Sequence, residues 1–419
     1  MVRENKRTIC IVTPDYITST PRVVKEADAL WQAGYNVRVV FSRGNLEYVS
    51  RSDEALLKEK PWRYSIVGWS PFRKKEKLLY WKSGFRQHLA RRISFWGWAK
   101  LAEYAEGRVY PELAALAAAE KADLYIGHYP AGLAAAYSAA FYWKTKLGFD
   151  AEDLHTEEGP TDREDLRRRK RIGLIQMRYL PYCSYVSSVS KPVADELAKR
   201  YNIAQPVVIH NVFPWSERSR LDGQIKDRKG SSLSLYWYSQ VIGEDRGIQD
   251  AIKAAGLLKE KAQLHLRGYL SPEVKNRLFN LAKTCGIENN IHFHPPVLPG
   301  ELLSRAVEHD VGLSLEQGLN LSRKLTITNK FFFYLLAGLA IIATDLPGQR
   351  YVFSTFPKAG FLYPPGDYRA LAGYLKRLID DPGLLNSCKQ VSLQAAQERW
   401  NSERESQKLI ERIGALLNG

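Results

Sequence analysis

Short β-branched runs alternate with amphipathic stretches along this chain, and that alternation restricts the fold to a parallel α/β arrangement. The run TICIVTP at 8–14 is followed by PRVVKEADALWQAG and then by NVRVVFS. Strand, helix, strand over about thirty residues is a βαβ unit, whose crossover joins parallel strands. ADLYIGH (122–128), YVSSVS (185–190) and PVVIHN (206–211) supply further strands, with helices expected from Gly132 to Tyr142 and from Lys191 to Tyr201.

A second series opens at SLSLYWYSQ (232–240), after the polar, turn-forming stretch SERSRLDGQIKDRKGSS. GIQDAIKAAGLLKEK, SPEVKNRLFNLAKTCG, the stretch from Pro299 to Asp310 and NKFFFYLLAG read as its helices. QLHLRGY, IHFHPP, VGLSLE and AIIATD read as its strands. Two series imply two Rossmann-like domains, 1–211 and 232–399, joined by a linker at 212–231 and followed by a terminal helix at 400–419. The 419 residues suit two domains of roughly 100–200 residues each. A ligand is then expected in the cleft between them, at the carboxyl ends of the strands.

Charge narrows the partners. Lys and Arg number 61 against 45 Asp and Glu, a net of +16. About half of that excess lies in the segment 73–100, RKKEKLLYWKSGFRQHLARRISFWGWAK, where nine bases face Glu76 alone. Leu78, Leu79, Tyr80, Trp81, Phe85, Phe95, Trp96 and Trp98 interleave with them. This is the composition of an interfacial amphipathic helix, so an anionic membrane surface is the expected partner. The alternative is a solvated helix face whose aromatics enter the core. A second basic run, RRRKR, spans Arg167 to Arg171. No helix-turn-helix, zinc-finger or RNP pattern accompanies the charge, which argues against nucleic acid.

The longest near-continuous apolar run, Phe331 to Ala343, is shorter than the ~20 residues a spanning helix needs. No apolar h-region follows MVRENKR. Cys10, Cys183, Cys285 and Cys388 form no CxxC pair, so neither a disulfide framework nor a zinc site is expected. The expected location is the cytoplasm, peripheral on the inner face of the membrane.

The loops carry the chemistry. No GxGxxG follows the first strand, and GxxxxGK[ST], HExxH and GxSxG are absent. That argues against a nicotinamide dehydrogenase, a P-loop kinase and the two commonest hydrolase motifs. In SQVIGEDRG (239–247), Gly243 lies in a strand-to-helix turn that presents backbone N–H groups, and Arg246 adds a bidentate donor. Together they form a candidate diphosphate cradle. Glu316 ends VGLSLE, where a carboxylate can accept sugar hydroxyls, and Asn329 and Lys330 open the next helix, with Asn329 as its cap. A surface role for Arg246 or a solvated Lys330 is the plain alternative.

In that order and spacing, SQVIGEDRG, DVGLSLE, TNKFFFYLLAGLAIIATD and LPGQ resemble the donor domain of family-4 glycosyltransferases of the GT-B fold. TPDYITSTPRVVKEADALWQAGYNVRVV, AEDLH (151–155) and VSKPVADELAKRYN with VVIHNVFP resemble the acceptor domain. The resemblance covers about residues 8–410 apart from the basic segment. It implies a retaining hexosyl transfer from a UDP- or GDP-sugar co-substrate, with no metal and no other cofactor, to a saccharide or lipid-linked acceptor. It also implies that Arg246 holds the diphosphate, that Glu316 binds donor sugar hydroxyls, and that His128 lies beside the transferred sugar. Asp153 and His155 would line the acceptor side, while Thr20 and Arg22 stand where the family has a glycine-rich acceptor loop. Phe333 falls on the family's second glutamate, and Gln240 on a position that is often basic. The expected process is assembly of a cell-surface polysaccharide or glycolipid. Two alternatives share the fold: a degenerate transferase acting as a membrane-surface binding partner, and a nucleotide-sugar epimerase.

Overall fold

The computed structural model describes residues 6–94, 101–159, 162–228 and 230–419. Phe95, Trp96, Trp98 and Lys100 of the basic segment lie outside the described residues. The chain divides into two compact units, one running up to Ile209 and taking in Ser406–Gly419, the other His210–Glu405.

In the first unit seven strands form one sheet: β1 (Thr8–Thr13), β2 (Asn36–Arg43), β3 (Arg63–Gly68), β4 (Leu124–His128), β5 (Lys146–Ala151), β6 (Tyr185–Ser188) and β7 (Val207–Val208). They are ordered β3-β2-β1-β4-β5-β6-β7, and every pair is parallel. Helices on both faces bury β1, β2 and β4 almost completely, which is why these strands read as continuous apolar runs. The helix Ser402–Asn418 ends in this unit, where Leu409, Ile413 and Leu417, four residues apart, join the core of Ile9, Val37 and Leu124.

The second unit holds six parallel strands: β8 (Leu233–Val241), β9 (Ala262–Tyr269), β10 (Ile291–His294), β11 (Val311–Ser314), β12 (Ala340–Thr344) and β13 (Gly360–Tyr363), ordered β10-β9-β8-β11-β12-β13. One core gathers Leu235, Trp237, Ile252, Leu264 and Leu313; a second gathers Phe331, Phe332, Phe333, Ile341 and Trp400. These are Rossmann-like sheets, as the alternation of runs implied.

One patch of the second sheet is polar. Register pairs Tyr236 with His265 and His265 with His292, and His294 lies two residues on along the same edge strand. His265 Nδ1 is 3.0 Å from His294 Nε2, and His309 stacks on Tyr236 at 4.5 Å while its Nδ1 meets Ser234 Oγ at 2.8 Å. Part of the stretch expected as a linker is tied down beside this patch. Glu308 accepts the backbone N–H groups of Lys226, Asp227 and Arg228 at 3.0, 2.7 and 3.2 Å, and Arg228 pairs with Asp310 at 2.9 Å.

Candidate functional site

The donor-side residues expected from sequence converge. After β8 the chain makes a short 3-10 turn, Glu244–Arg246, and Gly247 then opens the helix Ile248–Leu258 with φ +73°. A Cβ on Gly247 would lie 2.3 Å from the carbonyl oxygen of Leu315, so only glycine lets this turn approach the segment after β11. That approach brings Arg246 Nη1 to 3.4 Å from both carboxylate oxygens of Glu316. Lys330, in the first turn of the helix Asn329–Ala337, sets Nζ 3.5 Å from Glu316 Oε1 and 5.3 Å over the buried ring of Trp237. Burial pushes the Lys330 ammonium down, and Glu316 opposes that shift.

These ion pairs are longer than the 2.7–2.9 Å of well-formed charge-assisted bonds. Two cations therefore share one carboxylate loosely beside the positive end of a helix, an arrangement able to bind a diphosphate. Glu316 lies two residues beyond β11, and its backbone carbonyl accepts from Thr344 Oγ1 at 2.7 Å. Gly243 precedes the turn in an extended conformation. The capping role expected of Asn329 is not observed: it is exposed and is the first helical residue, and Thr328 holds the cap position without a side-chain bond. Phe333 is buried against Tyr238 and Phe213, with centroids 4.8 and 5.2 Å away, and thus serves the core.

In the first unit a second cluster forms at the carboxyl ends of β4 and β5. His128 is the last residue of β4 and is fully buried, rather than sitting in the loop beyond it. A Cβ on the preceding Gly127 would come within 2.5 Å of Leu133 Cα, so the following helix Tyr129–Trp143 closes tightly on the strand. Tyr129 takes φ +60° in that turn, a strained value for a non-glycine residue. His128 Nε2 meets Glu26 Oε2 at 2.5 Å, and Nδ1 lies 3.1 Å from Glu152 Oε1 and 3.5 Å from Asp150 Oδ2. Burial disfavours the charged ring, yet Glu26, Glu152 and Asp150 outweigh it and push the imidazole up to about 10. His128 is therefore an imidazolium at neutral pH, with both ring nitrogens engaged.

His128, Asp150 and Glu152 have the spacing of a metal-ligand set. Asp150, however, holds the Arg22 guanidinium through Nε at 2.5 Å and Nη2 at 2.7 Å and accepts from Ser187 Oγ. Against the cost of burial, Arg22 keeps that carboxyl well below its usual range. Arg22 also donates to the Ile209 carbonyl at 2.8 Å. Its guanidinium thus closes an internal network instead of lining an acceptor loop. Thr20 is fully buried and turns its hydroxyl onto the carbonyls of Tyr16 and Ile17. His155 is buried, Nδ1 2.8 Å from Glu158 and Nε2 without a hydrogen-bond partner, while the half-buried Asp153 follows β5. Burial pulls the His155 ring down, but Glu158 raises it overall.

Glu26, Asp150 and Glu152 were not anticipated. Glu26 sits in an amphipathic helix, where a carboxylate reads as solvated, and Glu152 is masked by its neighbours in AEDLH. Beside this cluster a cavity of about 360 Å³ lies at the carboxyl ends of β1 to β4, lined by Asp15, Trp69, Gln87, Arg108, Tyr129 and Arg168 among others.

No family model matches the chain, and no curated protein matches it. Solved structures do. Over 99% of this chain and 100% of the other it is similar to sucrose-phosphate synthase from Thermosynechococcus elongatus (TM-score 0.68, 15% identity). Anabaena Alr3699/HepE in complex with UDP matches over 98% and 100% (TM-score 0.69, 12% identity). A structure from Listeria monocytogenes described as a UDP-N-acetylglucosamine 2-epimerase matches over 97% and 96% (TM-score 0.57, 14% identity). These likenesses, with the two parallel sheets, establish the GT-B fold.

Proposed function

We propose that this chain is a glycosyltransferase that moves a hexosyl group from a UDP- or GDP-sugar to a saccharide or lipid-linked acceptor, with retention of configuration. The observation that carries the reading is the convergence of Arg246, Lys330 and Glu316 at the carboxyl edge of the second sheet. Departure of a nucleoside diphosphate builds negative charge on the leaving oxygens. Arg246 and Lys330, fixed before the reaction, stabilise that charge, and Glu316 holds sugar hydroxyls. HepE, crystallised with UDP, supports a uridine nucleotide.

On the acceptor side the reading favours Glu152. It is the most exposed carboxylate around His128, at 16%, and its Oε1 lies 3.1 Å from His128 Nδ1, placed to receive an acceptor hydroxyl. His128 then acts by holding charge, not as a base. We place the reaction in cell-surface polysaccharide or glycolipid assembly at the inner face of the membrane, on the support of the basic segment.

The test is thermal stability against UDP-, GDP-, ADP- and CMP-sugars, followed by product analysis. A ligand at a hundredfold excess over its Kd adds about 2.7 kcal/mol. Stabilisation by one donor, with nucleotide released when acceptor is supplied, supports the reading. A donor returned as its epimer points to epimerisation, and silence across the panel to a non-enzymatic binding partner.

A further inference from the structure

We propose that the outward face of the helix Lys77–Ser94 is a docking surface for an anionic lipid bilayer. The helix is amphipathic in the opposite sense to a surface helix of a soluble protein. Its inward face carries small and polar groups. Ser83 and Ala90 are buried, Arg86 forks onto Glu112 at 2.8 and 2.6 Å, and Gln87 and Arg91 donate to the Ala105 carbonyl at 3.2 and 3.1 Å. Arg108 completes the attachment through the Tyr80 carbonyl at 2.6 Å and Ser83 Oγ at 3.1 Å. The large apolar side chains point the other way: Leu78 is 79% exposed, Trp81 70%, Phe85 72% and Leu89 45%.

At 100° per residue these four fall within about 80° of arc and run for about 17 Å along the axis. Phe72, also exposed, precedes them. A contiguous apolar stripe on a face held in place by hydrogen bonds needs an occupant, because the packing of the described residues does not use it.

Charge selects that occupant. Lys74, Lys75, Lys77, Lys82 and Arg92 are exposed around the stripe, whereas Glu76, the acid of this segment, is turned inward onto Arg43 at 3.1 Å. Cations flanking exposed Leu, Trp and Phe match an interface whose surface is anionic and whose interior is apolar. The other basic run does not share this character. Arg168 pairs with Glu106 at 3.1 Å and Arg171 with Glu164 at 3.2 Å, within the helix Arg163–Tyr179 and its neighbours. Among the described residues no helix is long and apolar enough to cross a membrane, so the helix would lie along the surface. It also contributes Gln87 to the cavity at the edge of the first sheet, which ties lipid face and cavity to one rigid element. The inference gives the lipid-linked acceptor reading its physical support and rests on that reading only for its purpose.

The full chain is floated with phosphatidylcholine vesicles containing a third phosphatidylglycerol, and with phosphatidylcholine alone, at physiological salt. Two variants are compared, L78S/W81S/F85S and K74Q/K75Q/K77Q/K82Q. Each is expected to keep the parent's melting temperature and to lose at least about a hundredfold in partition to the anionic vesicles. Failure of the parent chain to float, or equal flotation of either variant, overturns the proposal. So does a dimer that the apolar variant abolishes in a chain that ignores vesicles, since the stripe is then a protein interface. Stabilisation by a nucleotide-sugar needs no vesicles, so its failure alone sinks the transferase reading and leaves the docking surface standing.

Discussion

Acidification and alkalinisation should weaken different halves of this chain. In the second unit burial, followed by the neighbouring histidines and the cations Arg228 and Arg267, pushes His265 down to about 3 and His309 down to about 2. In the unfolded chain both titrate near 6.5. Below that pH the unfolded state binds two protons that the native unit refuses, so stability falls as pH falls, by about 1.4 kcal/mol per histidine per pH unit. From pH 6.5 to 5 the two sites together give a loss of at most about 4 kcal/mol. His128 in the first unit carries the opposite sign. Its ring stays protonated up to about 10, so its contribution is complete below 6.5 and declines as pH rises, by about 2 kcal/mol between 6.5 and 8. Pulse proteolysis in urea across pH 5–8, with fragments assigned by mass spectrometry to His210–Glu405 or to the rest, reads the two responses separately. The double variant H265Q/H309Q should flatten the acid limb. The reasoning fails if both units lose stability on the same side of neutrality, or if the double variant keeps the parent's acid slope.

Five substitutions probe the sites. Arg246→Ala and Lys330→Met should each abolish stabilisation by a responding nucleotide-sugar without lowering the melting temperature of the free protein by more than a few degrees; retained stabilisation would remove these residues from the donor site. Arg22→Leu leaves Asp150 buried without its partner and should cost the first unit about 3–5 kcal/mol in urea unfolding. Gly247→Ala forces a side chain into left-handed backbone against the Leu315 carbonyl and should cost at least about 2 kcal/mol while displacing Arg246, so donor stabilisation should fall with it. Glu152→Gln keeps the shape of the His128 cluster and should lower transfer at least about tenfold with donor stabilisation unchanged, measured by nucleotide release with and without acceptor.

What the sequence made legible follows from how burial writes itself into residue choice. Central strands such as β1, β4 and β12 are covered on both faces, so they appear as unbroken apolar runs. β3 is an edge strand whose Arg63 and Tyr64 are exposed, and β5 reads KLGFDA with a buried, Arg22-paired aspartate inside it, so neither stands out. The cluster of Arg246, Glu316 and Lys330 was legible because these residues occupy loops and a helix start, where a polar residue has few structural duties. The His128 cluster was only half legible. A histidine at a strand end is visible, but its meaning lies in three carboxylates drawn from positions 26, 150 and 152, and no spacing rule connects them.

Thr20 and Arg22 show the converse difficulty. They stand at the start of a helix after the first strand, where exposed polar groups often meet ligands, yet the fold turns both inward to satisfy carbonyls and a buried aspartate. A buried carboxylate makes a demand on the rest of the chain that must be met by some cation, and in this first unit Arg22 meets it. His128 remains charged for a related reason: Glu26, Glu152 and Asp150 surround the buried ring, and their pull on its proton outweighs the burial that disfavours the charge. The residue that sequence marks as catalytic is thereby enclosed by three carboxylates, and under the proposed function Glu152, the most exposed of them, is the one that meets a substrate.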